Sequence, residues 1–375
     1  MERKGFICME KKDFKNLQLS RLGMGNMRLP VHADQEGTPI DYEKAEEIID
    51  YAMAHGVNYY DSAYVYHHGE SEVFLGNVMK KYPRDSYYLA TKFNIGANPD
   101  YKAVFEEQLK RLQTDYIDFY LLHAIQVNNY QKYIDSGCID YFNELKKEGK
   151  IKYLGFSFHG TPEVLDTFLE MDVWDFVQIQ CNYYDWCYSR TKIEYEKIAA
   201  KGLPIVVMEP VRGGRLADLG PEANALLKEA RPEWSVASWA LHYVKSLPQV
   251  QVVLSGMSTL DQIVDNVNTF SDGVTLSEEE IKTVYKAAAL YRKYLTVPCT
   301  ACRYCCDGCP MKIEIPQFIS IYNEMKLQGR GGIRQKLEKV ESVGKPADCI
   351  GCGACTGHCP QDIDVPKIMK ELAAL

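Results

Sequence analysis

The chain has 375 residues, 46% of them hydrophobic and 25% charged, which is enough apolar sequence for a large core in one domain or two. Its 43 basic and 51 acidic residues leave a formal charge of −8, so nothing electrostatic recommends a nucleic-acid or anionic-membrane partner. No apolar run reaches the roughly eighteen residues of a membrane span, and the N-terminal stretch lacks a signal peptide's apolar segment, so a cytoplasmic protein is expected.

From Leu17 to residue 295, short apolar runs alternate with longer amphipathic ones. Residues 19–24, 57–61, 87–92, 116–123, 152–157, 176–180, 205–208 and 250–255 read as strands. Between them, 42–55, 104–112, 139–148, 161–170, 192–201, 236–244 and 260–270 read as helices. Thr161-Pro162-Glu163 starts one helix, and Gly56, Gly149 and Gly202 follow the ends of others. Eight such strands imply a parallel sheet and suit a closed (β/α)8 TIM barrel, in the α/β class. The first strand carries no GxGxxG turn, which weakens the alternative of an open dinucleotide-binding sheet.

A barrel places its chemistry at the C-terminal ends of its strands. Those ends supply Asp61, Lys92, His123, Ser157, Gln178 and Ser255, polar residues closing strands that are otherwise apolar. A lone Lys or His at a strand end is about as often a solvated loop residue; six together favour a site. Tyr64 and Tyr66 follow Asp61 closely. A phenol, with a reference pKa of about 10, donates a proton readily only where a cation stabilises its phenolate. Lys92 can be that cation, Asp61 can hold it charged, and His123 can orient a carbonyl oxygen. Spacing leaves open which tyrosine is the acid.

Ser20 to Gly25, Asp61-Ser-Ala-Tyr-Val-Tyr66, Ala90-Thr-Lys92, Leu121-Leu-His123 and Gly155-Phe-Ser157 resemble the matching stretches of the aldo-keto reductases. The resemblance covers about three quarters of the chain and implies an NADH- or NADPH-dependent reductase of a small carbonyl substrate. It assigns Tyr66 as the general acid beside Asp61, Lys92 and His123. It also implies a nicotinamide site at Asn26, Met27, Ser157, Gln178 and Met208, a pyrophosphate loop at Pro210, Val211, Gly213 and Leu216, and an adenosine site at Ser255, Gly256, Met257, Gln262 and Asn266. Phe158 stands where the family commonly has Asn, and Met208 where an aromatic ring usually stacks on the nicotinamide. Between Ser255 and Asn266 no Lys or Arg offers to pair with a 2′-phosphate. A flavin at the barrel mouth is the alternative occupant.

Nine of the thirteen cysteines fall between residues 299 and 359, a grouping that in a reducing compartment indicates metal ligands. Cys299, Cys302, Cys305 and Cys309 share the spacing of Cys349, Cys352, Cys355 and Cys359, and each run ends in Pro. Both resemble the bacterial ferredoxin run, in which three thiolates serve one [4Fe–4S] cube and the fourth crosses to the other. That resemblance implies two [4Fe–4S] clusters, one on Cys299, Cys302, Cys305 and Cys359, the other on Cys349, Cys352, Cys355 and Cys309, with Cys306 spare. The roughly forty residues between Cys309 and Cys349 suit an α-helical ferredoxin-like domain over 296–375, after a barrel over 15–295. Zinc explains the spacing less well, since these runs hold more cysteines than paired knuckles need.

Hydride carries two electrons and a cube passes one. The favoured reading is therefore carbonyl reduction by the barrel, with clusters that are structural or sensory. The alternative is an electron-transfer or redox-sensing protein whose barrel holds a flavin or nicotinamide, with the clusters exchanging electrons with a ferredoxin-like partner.

Overall fold

A computed structural model of the chain describes residues 8–32, 35, 39–293 and 297–375. These fall into two compact units. One comprises the described residues through Val211 together with Ala237–Ile281; the other comprises Arg212–Val236 with the described part of Lys282–Leu375. The expected boundary between 295 and 296 lies outside the described residues.

The first unit begins with an antiparallel hairpin, β1 (Lys11–Phe14) and β2 (Leu17–Ser20), and continues into eight parallel strands. These are β3 (Leu22–Gly25), β4 (Tyr59–Asp61), β5 (Tyr88–Phe93), β6 (Ile117–Ile125), β7 (Ile151–Phe158), β8 (Phe176–Gln180), β9 (Ile205–Met208) and β10 (Val250–Ser255). β10 pairs with both β9 and β3, which closes the barrel. Strands buried on both faces read as continuous apolar runs, and β6 is buried at every position but Ala124.

The helices up to residue 292 are α1 (Tyr42–Ala54), α2 (Glu70–Val78), α3 (Tyr101–Leu112), α4 (Tyr130–Asp135), α5 (Cys138–Lys147), α6 (Pro162–Leu169), α7 (Tyr183–Tyr188), α8 (Thr191–Ala200), α9 (Pro221–Ala230), α10 (Val236–Lys245), α11 (Leu260–Thr269) and α12 (Glu278–Arg292), of which α9 and most of α12 belong to the other unit. Asp41 and Asp100 cap α1 and α3 by accepting the Lys44 and Ala103 amides, which satisfies donors that a helix start leaves open.

The structure departs from the sequence expectation in two places that matter. Residues 19–24 are not one strand: the Ser20 hydroxyl donates to the Leu22 carbonyl at 2.7 Å, and its amide donates to Asn58 Oδ1 at 2.8 Å, so the chain breaks between hairpin and barrel. The hairpin carries Phe14, fully buried, to 5.3 Å from Phe119 and 6.3 Å from Phe176 between ring centroids. Phe14 thereby joins Leu19, Tyr59, Leu121, Val206 and Val252 in one apolar cluster. The second departure is α2, whose apolar period is interrupted by the buried polar residues Ser71 and Glu72.

The other unit contains α13 (Tyr304–Asp307), α14 (Ile315–Gln328), α15 (Ile333–Lys339), α16 (Ala354–Gly357) and α17 (Val365–Ala373). Phe318, Ile319, Val365, Met369 and Leu372 form the centre of its core, against which Cys309, Cys349 and Cys359 pack. The sequence repeat is a repeat of backbone shape. Ala301 and Gly351, Arg303 and Gly353, and Lys312 and Asp362 all have positive φ at equivalent points. Among the described residues no helix is long and apolar enough to cross a membrane.

Candidate active site

Parallel register gathers the polar strand ends at one rim. Asp61 lies opposite Gly25 on one side and Ala90 on the other, Lys92 opposite Leu121, and Ser157 opposite Gln178. Asp61, Tyr66, Lys92, His123, Ser157, Gln178 and Ser255 are all buried.

An ammonium group has three protons to place. Lys92 Nζ donates to Asp61 Oδ1 at 2.5 Å and to the Ser62 carbonyl at 2.6 Å, and it lies 3.3 Å from the Tyr66 hydroxyl. Burial holds Lys92 below the usual lysine range, against the pull of Asp61 and Glu72. Burial likewise raises Asp61, opposed by Lys92. Tyr66 is raised well above an ordinary phenol by burial and by the Asp61 and Glu209 carboxylates.

The two tyrosines have different partners. Tyr64 donates its hydroxyl to Glu107 Oε2 at 2.9 Å, and the Arg111 guanidinium lies 4.5 Å from its ring centre. Tyr66 stands edge-on to His123, with ring centroids 5.7 Å apart. His67 and His68, which follow it, both adopt left-handed backbone with φ of 49° and 55°, a conformation that costs about 1 kcal/mol or more at a side-chain-bearing residue.

His123 is held well below the usual imidazole range, first by burial and then by the positive charge of Lys92, so it is neutral near pH 7. Its tautomer follows from its neighbour. Asn94 Oδ1 accepts the Gly96 and Ala97 amides at 3.0 and 3.1 Å, leaving the Asn94 amide nitrogen to face His123 Nδ1 at 3.4 Å. Nδ1 is then an acceptor, and Nε2 carries the proton.

Asn26 sits in a short turn, Asn26–Arg28, after β3, beside Met27, and donates Nδ2 to the Asp61 carbonyl at 2.9 Å. Ser157 Oγ accepts the Ala124 amide at 2.7 Å. Among the described residues, Asn26 Oδ1 and Gln178 Oε1 are buried without a hydrogen-bond partner. A buried lone acceptor is costly, and a carboxamide N–H is the kind of donor that would relieve it, so these residues fit a nicotinamide. Ser255 Oγ accepts from Asn266 Nδ2 at 2.8 Å, and Gln262 Oε1 accepts the Ser258 amide at 2.7 Å, so these three side chains hold their own loop in shape. Met257 is fully buried.

A residue that sequence spacing could not find stands beside them. A Cβ on Gly256 would come within 3.1 Å of Arg28 Cβ and 3.2 Å of its Cδ, so the Arg28 stem lies along Gly256. The stretch that lacks a cation of its own therefore has one from far earlier in the chain. Met208 ends β9, and Pro210 and Val211 follow it in the first unit. Gly213 and Leu216 belong to the second unit, where Leu216 is buried.

The eight matched cysteines line two cavities. Cys309, Cys349, Cys352 and Cys355 share one, walled by Met311, Ile313, Ile315, Ile350 and Val365 among others. Cys299, Cys302, Cys305 and Cys359 share the other with Thr300, Arg303, Ile319 and Gln361. Among the described residues no three cysteine, histidine or carboxylate groups lie close enough to hold one ion. Zinc would draw four sulfurs to about 2.3 Å of a single centre, whereas a cube spaces them around a larger guest. Thiolate quartets around cavities of this kind fit iron–sulfur cubes.

The chain matches the family profile described as the aldo/keto reductase family over residues 21–289 and one described as a 4Fe-4S dicluster domain over residues 298–363. It is 29% identical over 302 residues to the uncharacterized oxidoreductase YqkF of Bacillus subtilis (strain 168), covering 72% of this chain and 92% of that protein. It is 25% identical over 298 residues to the NADH-specific methylglyoxal reductase of Escherichia coli (strain K12), covering 67% and 90%. Among solved structures it is similar to aldo-keto reductase AKR11C1 from Bacillus halodurans in its holo form, with a TM-score of 0.62 and 30% identity over 74% of this chain and 96% of that one.

Proposed function

Because this chain belongs to the aldo/keto reductase family, as an NAD(P)H-dependent oxidoreductase with a C-terminal 4Fe-4S dicluster ferredoxin domain, we propose that its barrel reduces a small aldehyde or ketone with Tyr66 as proton donor. The observation that carries this is the placement of the Lys92 protons: two are taken by Asp61 and Ser62, and Tyr66 is the remaining neighbour at 3.3 Å. The nicotinamide, when bound, supplies a hydride to the carbonyl carbon. The carbonyl oxygen takes the Tyr66 proton and becomes the alcohol hydroxyl. Lys92 stabilises the phenolate left behind, which offsets the burial and carboxylate charge that raise Tyr66. Asp61 holds Lys92 in place, and His123 Nε2 donates to the carbonyl oxygen as negative charge gathers there.

Gln178, Ser157 and Asn26 would hold the nicotinamide end, with Met27 and Met208 packing beside it. Pro210 and Val211 would lie toward the diphosphate, and Ser255, Gly256, Met257, Gln262 and Asn266 would take the adenosine end. The two cysteine quartets would each hold one [4Fe–4S] cluster in a structural or sensory role. Grouped thiolates of this kind suit the reducing cytoplasm.

The test is anaerobic purification with iron and sulfide analysis, followed by oxidation of NADPH and of NADH with methylglyoxal as probe, in wild type and Tyr66→Phe. The proposal predicts cofactor oxidation that depends on the aldehyde and is lost in the variant. A holoprotein that neither binds nor oxidises either nicotinamide, or a variant with unchanged turnover, refutes it.

A further inference from the structure

A fully buried carboxylate stands on the other side of the barrel wall from the site, and the mechanism above does not use it. Thr91 and Lys92 are consecutive in β5, so they point to opposite faces: Lys92 into the barrel mouth, Thr91 out to the helix layer. There, Glu72 of α2 accepts the Thr91 hydroxyl on Oε1 at 2.5 Å and Gln108 Nε2 on the same oxygen at 2.6 Å. Its Oε2 accepts Arg111 at 3.2 Å. Gln108 Nε2 also reaches the Lys92 carbonyl at 3.2 Å, while Gln108 Oε1 accepts the Tyr120 hydroxyl at 2.6 Å. Glu72, Thr91, Gln108 and Tyr120 are all fully buried.

Thr91, Gln108 and Arg111 all donate to this carboxylate, and these hydrogen bonds favour the anion against burial, which raises Glu72 above the usual carboxylate range. A buried anion needs a cation, and its neighbours offer two: Arg111, which is shared with Glu107, and Lys92 through the wall. The groups facing Lys92 are Asp61, Tyr66 and His123 inside the barrel and Glu72 outside it. Those facing Glu72 are Arg111, Lys92 and Tyr120.

On the premise that the barrel carries out carbonyl reduction, we infer that Glu72 is a positioning residue for it: through Thr91 and Gln108 it fixes the end of β5, and its charge helps keep Lys92 an ammonium. Asp61 alone faces a strong opposing effect, since burial works against the charged form of each partner. A second carboxylate behind the wall adds attraction without entering the space that substrate and cofactor need. The Glu72–Gln108–Lys92 carbonyl link sets where the Lys92 backbone stands, and hence how far Nζ reaches toward Tyr66.

The test uses full-length, anaerobically purified protein with isotope-labelled lysine, the Lys92 ammonium signal being identified by its loss in Lys92→Met. Glu72→Gln should move the Lys92 titration, and with it the high-pH limb of kcat/KM for methylglyoxal, down by about one pH unit. Arg111→Met removes the competing cation, leaves the carboxylate, and should move both upward; this variant decides the matter if Glu72→Gln does not fold. A Lys92 titration that stays put in the variants that fold overturns the inference, as a purely structural Glu72 would leave it unmoved. A titration that shifts in the variants, while the wild-type protein turns over no carbonyl, supports the link between Glu72 and Lys92 and removes instead the reduction assigned to the site.

Discussion

Asn94 turns its amide nitrogen toward Nδ1 of His123 at 3.4 Å and keeps its oxygen for the backbone amides of Gly96 and Ala97. This fixes which imidazole nitrogen can donate to a carbonyl. Asn94→Asp replaces that donor with an acceptor, so Nδ1 takes the proton and Nε2 loses it. Single-turnover hydride transfer should slow by about 100-fold with nicotinamide affinity unchanged; an unaltered rate constant would show that the tautomer does not matter.

The two phenols near Asp61 should separate cleanly under mutation. Tyr66→Phe should lower kcat/KM by about 1,000-fold. Tyr64→Phe, which loses only the hydrogen bond to Glu107, should stay within about threefold of wild type. The reverse ranking in steady-state assays would move the acid to Tyr64.

Acid should destabilise the barrel through its neutral histidines. Burial lowers His159 from 6.5 to about 4 and holds His123 well below the usual imidazole range. A histidine with a depressed folded pKa contributes stability that is complete above the unfolded value and is lost as pH falls from about 6.5 toward the folded value. His159→Asn should therefore flatten the decline in urea-unfolding free energy between about pH 6.5 and pH 4 by about 2 kcal/mol. A decline as steep as in wild type would count against it.

Phe14 fills the barrel floor from outside the barrel's own strands. Phe14→Ala should cost about 3 to 5 kcal/mol, visible as an earlier urea midpoint, while the rim chemistry at low temperature is retained. A change under about 1 kcal/mol would mean that the floor repacks around the gap.

The cysteine quartets make a prediction that spacing within one run would not. Cys359→Ser should lower iron and sulfide content by at least about half and leave the Cys349, Cys352, Cys355 and Cys309 cavity with its four thiols. Cys306→Ser should leave both contents unchanged. Equal losses in the two variants would put Cys306 among the ligands.

How much of this was legible in the residues depended on whether the signal was local. Polar residues ending apolar strands marked Asp61, Lys92 and His123 because strand and ligand lie in one short segment. Tyr64 and Tyr66 could not be separated that way, since the choice depends on Glu107 and Lys92, which the fold delivers from elsewhere. Arg28 escaped notice because it meets Gly256 only when β10 closes the barrel beside β3. The helix holding Glu72 escaped because its buried apolar residues Phe74, Leu75 and Val78 share the inward side with Ser71 and Glu72, which breaks the apolar period.

The sharing of Cys359 with Cys299, Cys302 and Cys305 has a consequence for biosynthesis. A guest held by that quartet waits for a ligand made about fifty residues after its first three. Its seating therefore follows synthesis of the second cysteine run and cannot accompany that of the first. The second quartet draws Cys309 back in the same way. Each half of the tail therefore depends on the other for a complete ligand set, and a truncation that removes either one leaves both cavities short of a thiolate.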